Sequence, residues 1–265
     1  MERISSGDAE ICFDIAGSGP PVILLHPFPV CHEFWIPVAE LLSSRYFLIM
    51  PDLRGHGDSG LGDSPASMAR HAKDVARVMS AAGVGRAAVV GISIGGYVTF
   101  ELWRQIRERI SALVLCNTKA GPDSPEVRTG RLQAAEDVLR KGTEVFFEGL
   151  LQKLLGESTR RSRPDLVEGA LRMMRKMSPE DVAAVQRGMA DRADSISIAQ
   201  TIHVPTLIIT SDEDTLTGVP EAEVMKQNIR GSEMKVVAKA GHYSPWEQPE
   251  EVGTLLRSFL DSRQY

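Results

Sequence analysis

Cysteine is scarce in this chain. Its three cysteines, Cys12, Cys31 and Cys116, lie far apart among 265 residues. They form no C-x-x-C pair and none of the spacings at which cysteines bind zinc, which excludes a disulfide scaffold and a zinc ribbon. An odd number of isolated thiols is typical of proteins in a reducing compartment. We therefore expect a cytoplasmic protein.

The chain also lacks long apolar runs and an excess of positive charge. No segment has the length and apolar content of a membrane span, and the first residues have no apolar core of a signal peptide. Lys and Arg number 30 against 35 Asp and Glu, a formal net charge of -5. We therefore expect neither a membrane nor a nucleic acid among the partners.

What is present is the composition of a globular protein, 43% hydrophobic and 25% charged, in a chain long enough for a large core. Short apolar runs alternate with segments of helical periodicity, which predicts an α/β fold with a mostly parallel sheet. The predicted strands lie near residues 11–15, 22–25, 47–50, 87–90, 113–115, 207–209 and 234–238. The predicted helices lie near residues 67–82, 96–109, 221–229 and 250–262.

One region interrupts this alternation. Residues 122–199 have helical patterns and no convincing strand, so we predict an insertion there. The remainder, residues 1–121 and 200–265, is predicted to form the core domain. The insertion contains a cluster of three arginines, Arg160, Arg161 and Arg163. A solvated loop and a binding site for a substrate carboxylate are the two interpretations of this cluster.

The most informative motif is G-I-S-I-G-G at residues 91–96, directly after an apolar run. A strand ends at a glycine, turns through one serine, and continues as a helix past two more glycines. On so tight a turn the serine hydroxyl projects from the sheet, and the N–H groups that follow point where an oxyanion could sit. No Gly-Lys-Ser/Thr closes the loop, which excludes a phosphate-binding loop. The pattern predicts a nucleophile at Ser93.

A nucleophilic serine needs a base to take its proton, and the base needs an acidic partner. Among six histidines, His242 follows the last predicted strand in a loop preceded by glycine, at the sheet edge where α/β proteins bind ligands. The acid is expected directly after the strand at 207–209. Three carboxylates are consecutive there, Asp212, Glu213 and Asp214, and spacing alone does not choose among them.

Together these motifs make the chain resemble the α/β-hydrolase family, whose nucleophile, acid and histidine occur in this order. The resemblance covers nearly the whole chain and includes L-L-H-P-F-P at 24–29 and P-D-L-R-G-H-G-D-S at 51–59. It implies the α/β-hydrolase fold, a mostly parallel central sheet flanked by helices. It also implies that residues 122–199 are a helical cap, inserted before the strand that carries the catalytic acid.

The resemblance also implies roles for single residues. The family's acid usually stands three residues after a strand-end glycine, whose place Ser211 takes here. The implied triad is therefore Ser93, Asp214 and His242, with Asp212 as the fallback for the acid.

By the same resemblance, the oxyanion hole consists of the backbone N–H groups of Phe28 and Ile94. Pro27 stands where the family usually has glycine, but the donor that is needed belongs to Phe28. His26 is then a structural residue of this loop. The loop at 52–58 offers two aspartates and a histidine to a metal, yet aspartates in glycine-rich turns normally bond their own backbone. We expect no metal and no cofactor.

The predicted function is that of a serine hydrolase that cleaves a small-molecule ester or lactone through an acyl-enzyme on Ser93. Small carboxylesterases, 3-oxoadipate enol-lactonases and cofactor-free haloperoxidases resemble the chain equally, so the substrate stays open. The alternatives are C–C bond hydrolysis, perhydrolase or haloperoxidase activity, a lyase, and a non-catalytic ligand-binding or signalling relative. The sequence does not indicate an oligomeric state. The candidate residues of the substrate pocket are Val30, Trp35, Phe146, Phe147, Met173, Met174 and Trp246.

Overall fold

In the computed structural model, which describes residues 1–63 and 65–262, the chain folds around one eight-stranded sheet. The strands are β1 (Glu2–Ser6), β2 (Ala9–Ala16), β3 (Pro21–Leu25), β4 (Phe47–Pro51), β5 (Ala87–Ile92), β6 (Ile110–Cys116), β7 (Thr206–Ser211) and β8 (Glu233–Val237). Their order across the sheet is β1-β2-β4-β3-β5-β6-β7-β8. β2 pairs antiparallel with β1 and β4, and all other neighbours are parallel. The predicted fold class is confirmed.

The middle of the sheet consists of apolar strands. Every residue of β5, β6 and β7 is buried, as expected for parallel strands covered on both faces. β1 was not among the predicted strands, because Glu2–Ser6 contains a single apolar residue, Ile4. It forms at the sheet edge by pairing along β2, from Glu2 opposite Phe13 to Ser6 opposite Ala9.

Helices follow most strands. They are α1 (Ile36–Leu42), α2 (Met68–Ala81), α3 (Ile94–Ile106), α4 (Pro125–Lys141), α5 (Glu144–Leu154), α6 (Glu157–Ser162), α7 (Pro164–Met174), α8 (Pro179–Ala190), α9 (Ile196–Ala199), α10 (Val219–Asn228), α11 (Ser244–Glu247) and α12 (Pro249–Asp261). Two 3-10 turns lie at His32–Trp35 and Arg107–Arg109. α2 packs against α3, and α1 packs against α12. None of the helices in the described part of the chain has the length and apolar content needed to cross a membrane.

Residues 122–199 contain α4 to α9 and, all being described, no strand. α4 packs along α8, which begins with a reciprocal capping box. Ser178 Oγ accepts the Asp181 N–H at 3.1 Å, and Asp181 Oδ2 accepts the Ser178 N–H at 3.0 Å. We retain the division into a core domain, residues 1–121 and 200–265, and a helical cap, residues 122–199, as a proposal.

Candidate active site

Ser93 occupies the one-residue turn between β5 and α3. Its backbone has φ 55° and ψ -117°, a conformation that non-glycine residues rarely adopt. The Ser93 N–H lies 3.2 Å from both the Cys116 and the Asn117 carbonyl oxygens, at the end of the neighbouring strand. Its own carbonyl oxygen accepts the Thr118 hydroxyl at 2.8 Å. These bonds hold the serine in place from β6.

The glycines of the motif permit close packing around this turn. A Cβ on Gly91 would lie 2.4 Å from the Gly95 carbonyl oxygen, and one on Gly95 would lie 2.4 Å from the Leu25 carbonyl oxygen. Neither position has room for a side chain, because real Cβ contacts are essentially never shorter than 3.0 Å. α3 can therefore begin directly against β3 and β5, which brings Ser93 to the carboxyl edge of the sheet.

His242 lies in the loop after β8 and is 2% exposed. Its Nδ1 atom lies 2.9 Å from Asp214 Oδ2 and 3.1 Å from the Thr217 hydroxyl oxygen. The Thr217 hydroxyl in turn donates to Asp214 Oδ2 at 3.0 Å. One ring nitrogen is thus engaged by a carboxylate, while the ring itself lines the same cavity as Ser93. Among the described residues the Ser93 hydroxyl makes no hydrogen bond, so it is free to meet a ligand there.

Asp214 follows β7 and accepts hydrogen bonds at both oxygens. The N–H groups of Leu216 and Thr217 donate to Oδ1 at 2.8 and 3.1 Å, and the Asn117 amide donates to Oδ2 at 2.9 Å. Burial favours a raised pKa, but the charge of His242 and the hydrogen bonds from His242, Asn117 and Thr217 outweigh it. They hold the pKa of Asp214 well below its ordinary value. The carboxyl group is therefore ionised at neutral pH.

The other two carboxylates of the run point elsewhere. Asp212 is exposed, and the structure records no hydrogen bond from His242 to it. Glu213 faces α6, where it accepts the Ser158 N–H at 2.8 Å and also the Ser158 hydroxyl. The structure thus brings Asp214, and not the fallback Asp212, into contact with His242.

Asn117 is a site residue that the sequence analysis did not single out. It is buried directly after β6, and its amide donates to Asp214 Oδ2 and to the Ser211 hydroxyl at 2.9 and 2.8 Å. Its side-chain oxygen accepts the Ser244 hydroxyl. A polar residue directly after the apolar run at 112–116, at the same sheet edge as Ser93, is the sequence signal that could have identified it.

Of the predicted oxyanion donors, Ile94 directly follows Ser93 in the chain and begins α3, and Phe28 lines the same cavity as Ser93. Neither N–H group donates to an acceptor within the described residues. The Phe28 carbonyl oxygen accepts the Tyr243 hydroxyl at 2.9 Å, which ties this loop to the residue after His242.

The loop that precedes Phe28 is held by His26. This buried imidazole accepts the Leu53 N–H at Nε2, at 2.9 Å, and its Nδ1 lies 2.9 Å from the Pro27 carbonyl oxygen. Burial lowers the pKa of His26 to about 3, so the ring is neutral. His26 therefore connects two loops and faces no substrate.

Cys31, His32 and Asp52 place their ligand atoms within 4.8 Å of one another, the spacing of a metal site. The carboxylate oxygens are already occupied, however. Asp52 Oδ1 lies 2.7 Å from the His32 N–H nitrogen and 2.9 Å from His32 Nδ1, and Oδ2 accepts the Asp58 N–H at 2.9 Å. Burial also raises the pKa of Cys31 to about 12, which disfavours the thiolate that metals bind. The donors are those of a hydrogen-bonded turn.

Ser93 and His242 line a cavity of about 510 Å³, a size that suits a small molecule. Its apolar wall comes from both the core and the residues 122–199, and it includes Phe28, Phe146, Leu150, Leu154 and Met189. Its charged wall residues are Lys119, Asp123, Arg131 and Lys153.

Most of the predicted pocket residues do not line this cavity, and that prediction needs correction. Phe146 lies in the wall, whereas six others do not: Val30, Trp35, Phe147, Met173, Met174 and Trp246. The first five are almost fully buried in the hydrophobic core. Trp246 stacks on Phe34, with ring centroids 6.2 Å apart, and donates to the Leu166 carbonyl oxygen at 3.1 Å. The prediction chose these residues because they are apolar, and apolar side chains pack against one another in the core.

The arginine cluster at residues 160–163 also lies away from the cavity wall. Arg161 pairs with Glu157 at 3.2 Å on α6, and Arg163, between α6 and α7, pairs with Asp165 at 2.8 Å; all four residues are exposed. Arg160 donates to Gln152 at 2.7 Å. The cluster is therefore solvated, but the interpretation as a loop needs correction, because Arg160 and Arg161 lie on the helix α6.

Comparison with known proteins places these observations in a family. A sequence profile described as "alpha/beta hydrolase fold" matches residues 20–249. The chain is 24% identical over 247 residues to 3-oxoadipate enol-lactonase 1 of Acinetobacter baylyi, covering 93% of this chain and 91% of that protein. A stretch of 123 residues is 38% identical to RutD of Azorhizobium caulinodans, whose name refers to carbamate hydrolysis, and spans 46% of each chain.

Solved structures of two hydrolases are also similar to this chain. A thermophilic esterase from Thermogutta terrifontis, solved with malate bound, matches with a TM-score of 0.96 and 36% identity, and each chain is covered completely. The enol-lactonase from Burkholderia xenovorans LB400 matches with a TM-score of 0.92 at 23% identity, covering 98% of this chain and 100% of that chain. At that identity the second likeness concerns the fold alone.

Proposed function

This chain belongs to the α/β-hydrolase fold family, and we propose that it is a serine hydrolase of small carboxylic esters or lactones, acting through an acyl-enzyme on Ser93. One observation carries the proposal: Ser93 and His242 line one cavity, and Asp214 holds the far side of the imidazole at 2.9 Å. Relatives that bear esterase and enol-lactonase names support the choice of bond.

The proposed reaction begins with proton transfer from Ser93 to His242 Nε2, because Nδ1 is engaged with Asp214. The serine oxygen attacks the carbonyl carbon of the substrate. The oxyanion that forms accepts hydrogen bonds from the backbone N–H groups of Phe28 and Ile94. Each such donor contributes about 3 kcal/mol to stabilising the transition state. His242 then protonates the leaving alcohol and activates the water that releases the acid.

The ionised state of Asp214 supports this assignment. A carboxylate opposite Nδ1 fixes the tautomer of His242 and stabilises the imidazolium that forms during the reaction. The hydrogen bonds from Asn117, Leu216 and Thr217 keep that charge in place. The other chemistries named above, such as C–C bond hydrolysis and perhydrolysis, would use the same three residues, so substrate tests separate them.

The location of the protein is a further part of the proposal. Cys12, Cys31 and Cys116 are free and buried. Unpaired thiols are typical of a reducing environment, which supports a cytoplasmic location.

The test is hydrolysis of 4-nitrophenyl acetate and butyrate by the wild type and by Ser93→Ala. We expect the variant to lose at least about a thousandfold in kcat/KM, because the acyl-enzyme cannot form. Ser80→Ala is the matched control, because Ser80 is exposed on α2 and outside the cavity wall, where its hydroxyl bonds the Ala76 carbonyl oxygen and the Arg109 guanidinium. A fluorophosphonate probe should label wild type at the peptide that contains Ser93. Equal turnover by wild type and Ser93→Ala would refute the proposed mechanism.

A further inference from the structure

We propose that the cavity contains an anion subsite formed by Lys119, Arg131 and Lys153, and that the substrate carries a free carboxylate at a distance from the bond that is cleaved. The inference rests on the proposed function for the identity of the reaction. It extends that function by naming the chemical class of the substrate.

The cavity wall carries more positive than negative charge. Three cations line it, and Asp123 is its one carboxylate among the described lining residues. Asp123 Oδ1 lies 3.0 Å from Lys119 Nζ, and Oδ2 lies 2.7 Å from Arg131 Nε. Arg192 also contacts Asp123 Oδ1, at 3.0 Å. One negative charge is thus shared by three cations, so the wall stays positive although the whole chain has a net charge of -5.

The two lysines of the cavity wall have N–H donors that their described partners do not use. Asp123 is the only ion-pair partner of Lys119 in the described chain, and an ammonium group has three hydrogens to donate. The Lys119 side chain is only 18% exposed. Lys153 is exposed and forms no ion pair with any described residue. Both lysines can therefore donate to an anion that enters the cavity.

The three cations come from different parts of the fold. Lys119 lies in the segment between β6 and α4, Arg131 on α4 and Lys153 on α5. Three separate parts of the chain converge on the cavity that Ser93 and His242 line. The rest of the wall includes Phe146 and Leu150, which suits a short methylene chain between the carboxylate and the acyl carbon. Charge interactions are also stronger beside such apolar walls than in water.

A binding experiment tests the subsite without requiring turnover. Adipate, a dianion, and adipamide, its neutral counterpart, are titrated into the protein by calorimetry at low salt. We expect adipate to bind at least about tenfold more tightly, and Lys119→Gln or Lys153→Gln to weaken adipate binding by about fivefold to tenfold each. Lys119→Arg keeps the charge and should retain most of the affinity. Lys73→Gln is the matched control, since Lys73 is exposed on α2 and does not line the cavity.

A turnover experiment then links the subsite to the reaction. The substrates are the 4-nitrophenyl esters of adipic acid and of adipamic acid, which share a leaving group and differ in one charge. We expect the acid to have the higher kcat/KM in wild type, and the ratio between the two substrates to fall in Lys119→Gln and Lys153→Gln. Loss of this ratio in Lys73→Gln as well would overturn the subsite.

The outcomes separate the two proposals. Turnover that depends on Ser93, with equal binding of adipate and adipamide, overturns the subsite and leaves the hydrolase standing. Selective adipate binding that requires Lys119 and Lys153, without turnover of either ester, supports the subsite and overturns the hydrolase. If neither selective adipate binding nor ester turnover is observed, both the subsite and the hydrolase proposal are overturned.

Discussion

Ser93 is held in its backbone conformation by its neighbours. At φ 55° a residue other than glycine carries a cost of order 1–3 kcal/mol, which persists only where the surroundings enforce it. Here the surroundings are the carbonyl groups of Cys116 and Asn117, which receive the Ser93 N–H, and the Thr118 hydroxyl, which donates to the Ser93 carbonyl. The end of β6 therefore positions the proposed nucleophile.

Asp214→Asn tests the proposed acid. An amide in this position leaves the geometry intact but favours the wrong imidazole tautomer, so we expect kcat for a nitrophenyl ester to fall by about 10³- to 10⁴-fold. Asp212→Asn, an exposed site in the same turn, should remain within about twofold of wild type. Steady-state kinetics and thermal unfolding on all three proteins make the comparison. A large loss in Asp212→Asn with little loss in Asp214→Asn would reverse the assignment.

The choice among Asp212, Glu213 and Asp214 shows what sequence reasoning could not reach at this scale. All three are carboxylates at one strand end, and motif spacing favoured Asp214 only through the family resemblance. What turns Asp214 inward is a tight turn, in which its Oδ1 accepts the N–H groups two and three residues later. Such a turn depends on backbone geometry that residue types alone do not specify.

At the scale of elements, burial on both faces makes strands easy to predict. β5, β6 and β7 are buried throughout and each contains a continuous apolar run, and all three were expected from sequence. The edge strand β1 was not expected, because it forms by pairing with β2 and not through its own apolar content.

Most residues of the pocket wall were not predicted from the sequence. Apolar helix residues pack into the core, whereas Lys119 and Arg131 remain at the cavity because water or a ligand must solvate their charges.

Two helical glycines of the residues 122–199 provide a matched pair for stability. A Cβ on Gly188, in α8, would lie 1.9 Å from the Ala66 carbonyl oxygen, whereas one on Gly149, in α5, meets nothing within 4 Å. We expect Gly188→Ala to lower the free energy of unfolding by about 2–3 kcal/mol through overpacking. Gly149→Ala should raise it by about 0.5–1 kcal/mol, because alanine favours the helix. Urea unfolding measures both, and equal effects would contradict the close contact between α8 and the segment before α2.

At the scale of the molecule, one buried carboxylate joins the residues 122–199 to the loop of the proposed base. Glu247 accepts the Gly156 N–H at 2.8 Å and the Gly241 N–H at 2.9 Å. Gly156 directly precedes α6, and Gly241 directly precedes His242. Burial raises the pKa of Glu247 despite these bonds. The position of the imidazole and the packing of the helical insertion therefore depend on the same side chain.

Three buried histidines lie together: His26 in the loop after β3, His56 in the loop after β4, and His71 on α2. The ring centroids of His26 and His56 are 5.0 Å apart, and those of His56 and His71 are 6.3 Å apart. Burial lowers the pKa of each, to about 3 for His26, and the neighbouring histidines lower those of His26 and His71 further. The folded protein therefore keeps all three rings neutral at a pH at which the unfolded chain protonates them.

This cluster predicts a loss of stability in mild acid. The folded pKa values lie below the unfolded value of about 6.5, so the contribution of each ring is full above pH 6.5 and is lost as the pH falls toward the folded pKa. A ring whose folded pKa lies well below this range, as for His26 and His71, then lowers the free energy of unfolding by about 1.4 kcal/mol between pH 7.5 and 5.5. His32, whose pKa is raised by its bond to Asp52, has the opposite sign and is common to all variants.

His71→Leu isolates one ring of the cluster. Leucine cannot take up a proton in the unfolded chain, so we expect the fall in unfolding free energy from pH 7.5 to 5.5 to be about 1.4 kcal/mol smaller than in wild type. Urea unfolding at the two pH values measures the difference, and the comparison cancels the contributions of all other groups. Val145→Ala, which changes an exposed residue of α5 without a titratable group, should lose stability as the pH falls just as wild type does. If the pH dependence of His71→Leu parallels that of wild type, His71 is protonated in the fold and the cluster does not make the protein sensitive to acid.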